Sequence, residues 1–218
     1  MEQLFMNLAD DDLHRMQVFG CVPSERQTNY RDLSNEQLEQ VVISLLKPNR
    51  VAHVLGCRDT AVMLAKRWGA DEQDALRAGL LHDVTKALGS ALQIALCQSY
   101  GVKLSEFSSR NPKTLHALTG SLVAQRIFGE NQAVVDAIAS HTTGKAAMTT
   151  LEKIIYVADY MEPNRNFAGV ENMRYLAVTD LDGALKLGLE MTLEILQKEG
   201  REISAESAEA LAFLNKKN

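Results

Sequence analysis

Aromatic residues, prolines and cysteines are all scarce in this chain of 218 residues. Phe, Trp and Tyr together make up 6% although hydrophobic residues reach 46%, and there are four prolines and three cysteines. Because sheets draw on aromatic and β-branched residues whereas Leu, Ala and Met favour helices, this composition predicts an all-α fold. We also find no run of five or more residues that alternates apolar and polar types with strand chemistry, which argues against a β-rich architecture.

The cysteines and the first residues point to a reducing compartment. Cys21, Cys57 and Cys97 are odd in number, far apart and without metal-type spacing, so we expect free thiols. Residues 1–13 carry acidic side chains where a signal peptide needs a basic region, and no apolar run approaches membrane length. We therefore predict a cytoplasmic protein without a membrane partner.

The chain has no excess of positive charge. Its formal net charge is -5 at pH 7, and no basic stripe interrupts the acidic background. Nucleic acids and anionic membrane surfaces attract proteins that carry such a stripe, so we expect neither as a partner. Any polyanionic ligand must instead be met by a few cations at one place.

Helix start and stop signals divide the chain into a leader, residues 1–33, and one domain, residues 34–218. The leader lacks a sustained hydrophobic period and could be an arm, a linker or a short helix. Ser34 and Gln37 then form a capping-box signature, and apolar periodicity predicts about nine to eleven helices in all. The predicted helices that carry candidate site residues cover residues 49–69, 71–89, 111–128, 131–140 and 151–161.

A histidine and an aspartate stand side by side, His82 and Asp83, in the apolar stretch 80–86, which we expect to be helical. Neighbouring helix positions point about 100° apart, so the pair can share one metal ion only if the ion lies off the helix flank. The second carboxylate oxygen then stays free to bridge to another ion. The pair taken alone also fits a structural or surface role, because perturbed polar residues mark functional sites only statistically.

Further candidate ligands accompany this pair. His53, His116 and His141 fall on separate predicted helices or their ends, and Asp159 lies within an otherwise apolar helix. Each histidine also has a structural interpretation, as a half-exposed side chain, a helix cap or a helix terminator. Burying Asp159 unpaired would cost several kcal/mol, so a cation should neutralise it. Four imidazoles and two carboxylates exceed the needs of one tetrahedral zinc and suit two ions that share a ligand.

These residues carry a resemblance to a known family. The order of His53, the His82-Asp83 pair and Asp159 resembles the HD-domain metal-dependent phosphohydrolases. The runs RVAH over 50–53, LLHDVTK over 80–86, SHTTG over 140–144 and MTTLEKIIYVADYMEPNR over 148–165 are similar to the bacterial YqeK family of symmetrical dinucleoside tetraphosphate hydrolases. The resemblance covers about residues 36–215.

The resemblance implies an HD-domain helical bundle with a centre of two ions. His53, His82, Asp83 and Asp159 would hold one ion, and His116 and His141 the other, with Asp83 as the bridge. A hydroxide between the ions would attack a central phosphate of diadenosine tetraphosphate and give two ADP. The mixed nitrogen and oxygen ligands favour iron, with manganese, cobalt and zinc as alternatives.

Four residues are candidates for substrate contact. Lys86 follows His82 by one helical turn, and Arg50 precedes His53 by three positions, so each is expected on the same face as its histidine. Thr142 could donate a hydroxyl, and Arg165 matches a family position for phosphate contact. We expect Asp83 and Lys86 to act in catalysis.

Several questions stay open at this stage. The segment 203–207 replaces the family's closing Ile-x-Pro-x-Thr, which leaves the nucleotide contacts at that end undefined. An HD-type nucleotidase, a cyclic-dinucleotide phosphodiesterase and a non-catalytic nucleotide or metal sensor are the alternative functions. The expected partners are a dinucleoside polyphosphate or a nucleoside diphosphate, and a Met- and Leu-rich helical surface is compatible with a homodimer.

Overall fold

A computed structural model describes residues 8–25 and 28–217, and every regular element in these ranges is a helix. The all-α prediction is thus confirmed. There are twelve α-helices and one 3-10 helix in the described ranges, which slightly exceeds the expected count because the leader and residues 106–110 each add a short helix. The α-helices are α1 (Asp10–Val18), α2 (Asn35–Leu45), α3 (Pro48–Trp68), α4 (Glu72–Leu81), α5 (Ser90–Ser99), α6 (Glu106–Arg110), α7 (Leu115–Arg126), α8 (Gln132–Ser140), α9 (Thr150–Met161), α10 (Val170–Thr179), α11 (Leu181–Lys198) and α12 (Ala205–Lys217), and the 3-10 helix is Pro112–Thr114.

The leader contributes to the core through α1. Met16 and Phe19 are fully buried, and the Arg15 guanidinium donates from Nε to the Leu45 carbonyl at 2.8 Å. That bond satisfies a carbonyl at the end of α2, where the helix itself supplies no partner. Residues 10–19 therefore pack on the domain as an ordinary helix. No helix in the described part of the chain is long and apolar enough to span a membrane.

The helix ends follow the predicted capping chemistry. Ser34 and Gln37 form the expected capping box, and Thr149 forms a second one with Glu152. Gly69 ends α3 with a φ of 70°, the left-handed conformation that favours glycine. These caps fix where α2, α3 and α9 begin or end, and so fix which side chains face the centre of the domain.

The expectation that His82 and Asp83 lie inside a helix was wrong. Helix α4 ends at Leu81, with His82 as its C-cap, and consecutive turns follow through residue 88. Within them the Lys86 N–H donates to the Asp83 carbonyl at 2.9 Å. The Thr85 hydroxyl donates to the His116 carbonyl on α7 at 3.1 Å, and such a side-chain bond gives the backbone an alternative to helical pairing.

The core is organised around α9 and the crossing of α3 with α4. Helix α9 packs against α3, α8 and α11, and Ile154, Ile155 and Val157 are fully buried. At the α3–α4 crossing the backbones approach so closely that a Cβ on Gly79 would lie 2.7 Å from the Arg58 Cα. The absent side chain thus sets the spacing of the two helices that carry His53 and the residues just before His82.

We predict that Gly79→Ala lowers the free energy of unfolding by about 1–3 kcal/mol, because overpacking forces the backbones apart. Urea denaturation of the purified protein measures this loss. Gly89→Ala is the matched control, since a Cβ there meets no atom within 4 Å and should change stability by less than about 0.5 kcal/mol. Equal effects of the two substitutions would contradict the proposed close approach of α3 and α4.

Candidate metal centre

Four imidazoles from four helices, or from the residues that directly follow them, converge on one buried point. The Nε2 atoms of His53 and His82 lie 3.3 Å apart, and those of His116 and His141 lie 3.2 Å apart. All four histidines are buried. These nitrogens cannot all donate hydrogen bonds to one another. Their convergence on one point is typical of metal ligands.

The Asp83 carboxylate lies between the two histidine pairs. Its Oδ2 is 3.7 Å from the His53 Nε2 and 3.5 Å from the His82 Nε2. Its Oδ1 is 3.5 Å from the His116 Nε2 and 3.9 Å from the His141 Nε2. One carboxylate therefore presents an oxygen to each pair.

Asp159 completes the first group from α9. Its Oδ1 lies 3.2 Å from the His53 Nε2. The potential ligand atoms form two clusters, His53 with His82 and Asp159, and Asp83 with His116 and His141; within each cluster they lie within 4.8 Å of one another. The structure thus brings together all six residues that the sequence indicated as metal ligands.

Backbone carbonyls orient three of the imidazoles. The Nδ1 atoms of His82, His116 and His141 each lie at hydrogen-bond distance from the carbonyl three residues earlier, at 2.8, 2.9 and 2.7 Å. When Nδ1–H donates to such a carbonyl, Nε2 keeps its lone pair and faces the centre. The helix geometry itself therefore selects the tautomer that can bind a metal.

Glu162 orients the fourth imidazole. It is 1% exposed, and its Oε1 lies 3.1 Å from the His53 Nδ1. The Asn164 backbone N–H donates to the other oxygen at 2.7 Å. The absence of a side chain at Gly56 on α3 provides the space for this carboxylate, because a Cβ there would lie 2.5 Å from Glu162 Oε2.

Glu162 is not among the site residues that were predicted from the sequence. The available signal was its position three residues after Asp159, at the C-cap of α9. Its partner His53 lies 109 positions away, so the contact depends on how α3 and α9 cross. A local pattern does not contain that information.

The charges at four of the six candidate ligands fit metal binding. Burial lowers the pKa of His116 to about 3 and that of His141 to about 4, so both imidazoles are neutral at pH 7. Burial opposes ionisation of Asp83 and Asp159, but neighbouring histidines and cations hold the pKa of each carboxyl well below its usual range. Two neutral imidazoles and two carboxylates are the protonation states that a cation requires. At His82, burial favours the neutral imidazole, but the neighbouring Cys57 and Asp83 hold the pKa well above its ordinary value, so a metal ion would have to displace a proton there.

One buried oxygen indicates that an ion fits among these residues. Asp83 Oδ1 is the one buried side-chain polar atom within the described residues that has no hydrogen-bond partner. Burying an ionised oxygen without a hydrogen-bond partner costs free energy, and such atoms occur at functional sites. Because His116 and His141 face the same oxygen, the residues present fit a divalent ion there.

The predicted substrate residues surround this centre. Lys86 Nζ lies 2.8 Å from the His116 Nε2, although it reaches the centre from a turn rather than along a helix face. Thr142 Oγ1 lies 3.2 Å from the Nε2 atoms of His116 and His141. Arg50 forms an ion pair with Asp83, and Arg165 forms one with Asp159.

Two other cations do not reach the centre. Arg58 pairs with Glu39 and Asp59, and Lys145 pairs with Glu152. Among the described residues, the Arg and Lys side chains that contact the candidate ligands are Arg50, Lys86 and Arg165.

The chain is similar to known proteins both in sequence and in structure. The HD domain family matches residues 50–164. The symmetrical bis(5'-nucleosyl)-tetraphosphatase of Bacillus subtilis is 37% identical over 174 residues, which cover 78% of this chain and 92% of that protein. Its counterpart in Halalkalibacterium halodurans is 40% identical over 167 residues, 75% of this chain and 88% of that protein. A crystal structure from Clostridium acetobutylicum, of an HD superfamily hydrolase described as involved in NAD metabolism, superposes with a TM-score of 0.82 at 36% identity, over 85% of this chain and 99% of that one.

We predict that Glu162→Gln weakens binding of a divalent ion by about 10–100-fold, because partners of ligating histidines set ring orientation and basicity. Competition of manganese between the protein and a fluorescent chelator measures the affinity.

Glu152→Gln provides the matched control for this variant. Glu152 is equally buried at 1% exposure, but it caps α9 through the Thr149 N–H at 2.7 Å instead of contacting a histidine. Its substitution should leave metal affinity unchanged. Equal loss of affinity in both variants would show that Glu162 is only structural.

Proposed function

Because this chain belongs to the HD-domain family, in the group of relatives named symmetrical bis(5'-nucleosyl)-tetraphosphatases, we propose that it hydrolyses diadenosine tetraphosphate symmetrically to two ADP. Relatives with this name share 37% and 40% identity with the chain over three quarters of its length or more. We further propose that residues 34–218 form the hydrolase domain.

The observation that carries the proposal is the position of the Asp83 carboxylate between the two pairs of histidines, His53 with His82 and His116 with His141. Its oxygens are separately within 4 Å of His53 and His82 and of His116 and His141. We propose that it bridges two ions, with Asp159 as a further ligand of the first. When bound, such ions lower the pKa of water and neutralise phosphate charge. Imidazole and carboxylate ligands together favour iron, with manganese, cobalt and zinc as alternatives.

The chain's own cations would position the tetraphosphate. Arg50 and Arg165 are partly exposed; Arg50 pairs with Asp83 and Arg165 pairs with Asp159, whereas Lys86 lies beside His116. A phosphate chain laid across both clusters would meet a positive group at each end. The Lys86 ammonium would stabilise charge that develops on the leaving phosphate, and the Thr142 hydroxyl would donate to a neighbouring oxygen.

Product analysis tests the reaction directly. We predict that protein supplied with iron(II), manganese or cobalt converts diadenosine tetraphosphate to ADP alone, as resolved by anion-exchange chromatography. In water enriched in oxygen-18, one label should appear on the terminal phosphate of half of the ADP formed. AMP with ATP, or cleavage of a cyclic dinucleotide without release of ADP, would contradict symmetrical hydrolysis. If the protein binds the nucleotide but hydrolyses it with none of these metals, a sensor function would instead be favoured.

We predict that Lys86→Met lowers kcat by about 10²-fold without changing the number of ions bound, since it removes one preorganised positive donor. Steady-state kinetics and elemental analysis of the same preparation provide both quantities. Lys66→Met serves as the control because Lys66 is exposed on α3, away from the centre. A kcat unaffected by Lys86→Met would remove this lysine from the mechanism.

A further inference from the structure

An arginine on α10 donates to three backbone carbonyls at the end of α9 and just beyond it. The Arg174 Nε lies 3.1 Å from the Met161 carbonyl oxygen, and its Nη2 lies 3.2 Å from that of Glu162 and 3.0 Å from that of Arg165. Its Nη1 pairs with Glu171 on the same helix. The guanidinium thus directs two of its nitrogens at the backbone and one at a side chain.

Two arginines supply the donors that the end of α9 needs. The last four carbonyls of an α-helix have no partner within the helix. The Asp159 carbonyl accepts from the Arg165 Nε at 2.7 Å, and the Met161 carbonyl accepts from Arg174. A cation at this end also interacts favourably with the helix dipole. Arg174 therefore stabilises the point at which the chain leaves α9.

The four residues after α9, residues 162–165, form a turn that carries two side chains of the metal centre. The Arg165 N–H closes the turn by donating to the Glu162 carbonyl at 2.9 Å. From one end of the turn, the Glu162 carboxylate approaches the His53 Nδ1 at 3.1 Å. From the other end, the Arg165 guanidinium pairs with Asp159. Both contacts therefore depend on where the turn lies.

Arg174 binds this turn at both ends, through the carbonyls of Glu162 and Arg165. The middle of the turn is attached to α3, because the Asn164 side chain donates to the Ala52 carbonyl at 3.1 Å. The Arg174 side chain is 29% exposed, so water competes for its bonds less than at an open surface. The turn is thus held between α3 and α10.

The guanidinium is suited to this task by its shape as well as its charge. Its donors lie in a rigid plane, whereas the ammonium of a lysine is a compact, strongly hydrated charge on a flexible stem. A planar group that bonds to several carbonyls fixes their relative positions. Arg174 lies beyond residues 50–164, which match the HD domain family.

We propose that Arg174 is a positioning residue, which acts on the metal centre and on the substrate through the turn at residues 162–165. Its bond to the Glu162 carbonyl fixes where the Glu162 carboxylate meets His53. Its bond to the Arg165 carbonyl fixes where the Arg165 guanidinium lies beside Asp159. The effect on metal binding follows from the geometry of the centre, and the effect on the substrate rests on the proposed function.

Competition of manganese between the Arg174→Lys variant and a fluorescent chelator tests the effect on metal binding. Lysine keeps the charge but lacks the planar fork, so the affinity should fall by about three- to tenfold, less than for a direct partner of a ligand. The double variant Arg174→Lys/Glu162→Gln should lose no more affinity than Glu162→Gln alone, because residues that act through one contact are not additive. Wild-type affinity in Arg174→Lys, or additive losses in the double variant, would overturn the assignment.

Two matched variants separate positioning from general stability. Glu171→Gln removes the ion pair of Arg174 but leaves its bonds to the carbonyls. Arg67→Lys alters another arginine that donates to a carbonyl of α10, that of Val178 at 2.9 Å, away from the turn. Both variants should keep wild-type metal affinity, and a loss equal to that of Arg174→Lys would contradict the proposal.

Hydrogen exchange followed by mass spectrometry reports on the turn itself. Peptides that span residues 161–166 should exchange faster in Arg174→Lys than in the wild type, because the turn opens more often once its donors are lost. Peptides from α8 should exchange at the wild-type rate in both proteins. Unchanged exchange at the turn would show that Arg174 does not hold it.

Kinetics at saturating metal test the effect on the substrate. Arg174→Lys should raise KM for diadenosine tetraphosphate at least about threefold and change kcat by less than about twofold, because a displaced Arg165 meets the phosphates less well. An unchanged KM in an active enzyme would overturn this part of the proposal. If the wild-type protein does not hydrolyse the dinucleotide, the proposed function fails, whereas metal competition and hydrogen exchange still decide the role of Arg174.

Discussion

The buried carboxylate of Asp83 is the constraint on which the rest of the site depends. An ionised group that is 1% exposed is stable only if positive charge and hydrogen-bond donors compensate it. Arg50 and the surrounding imidazoles approach Oδ2, but Oδ1 has no hydrogen-bond partner. The ends of α4, α7 and α8 and the interior of α3 and α9 all meet at this side chain, so the fold is arranged around the need to neutralise it.

Much of this centre was predictable from sequence because the chemistry of each residue conflicted with its surroundings. Asp159 in an apolar helix required a cation, and histidines spread over several helices supplied candidates for one site. The structure brings these residues within a few ångströms of Asp83. Helix caps were predictable for a similar reason, since Ser34 and Thr149 act through neighbours only three positions away.

What sequence reasoning missed depends on long-range packing. The turn at residues 82–88 differs from the expected helix, and Thr85 bonds there to a helix more than thirty positions along the chain. The role of Glu162 likewise requires α3 and α9 to cross where Gly56 leaves space. For the leader, the sequence left an arm, a linker and a short helix open, because the residues that bury it, Met16 and Phe19, show no periodic pattern.

The central claim is that Asp83 joins two ions, and the number of ions per chain tests it most directly. Elemental analysis of protein loaded with metal and freed of excess should give two ions per chain for the wild type. Asp83→Asn, which keeps the shape but removes the bridging charge, should lower that number. A wild-type value of one or none, or full occupancy without the Asp83 carboxylate, would contradict the account.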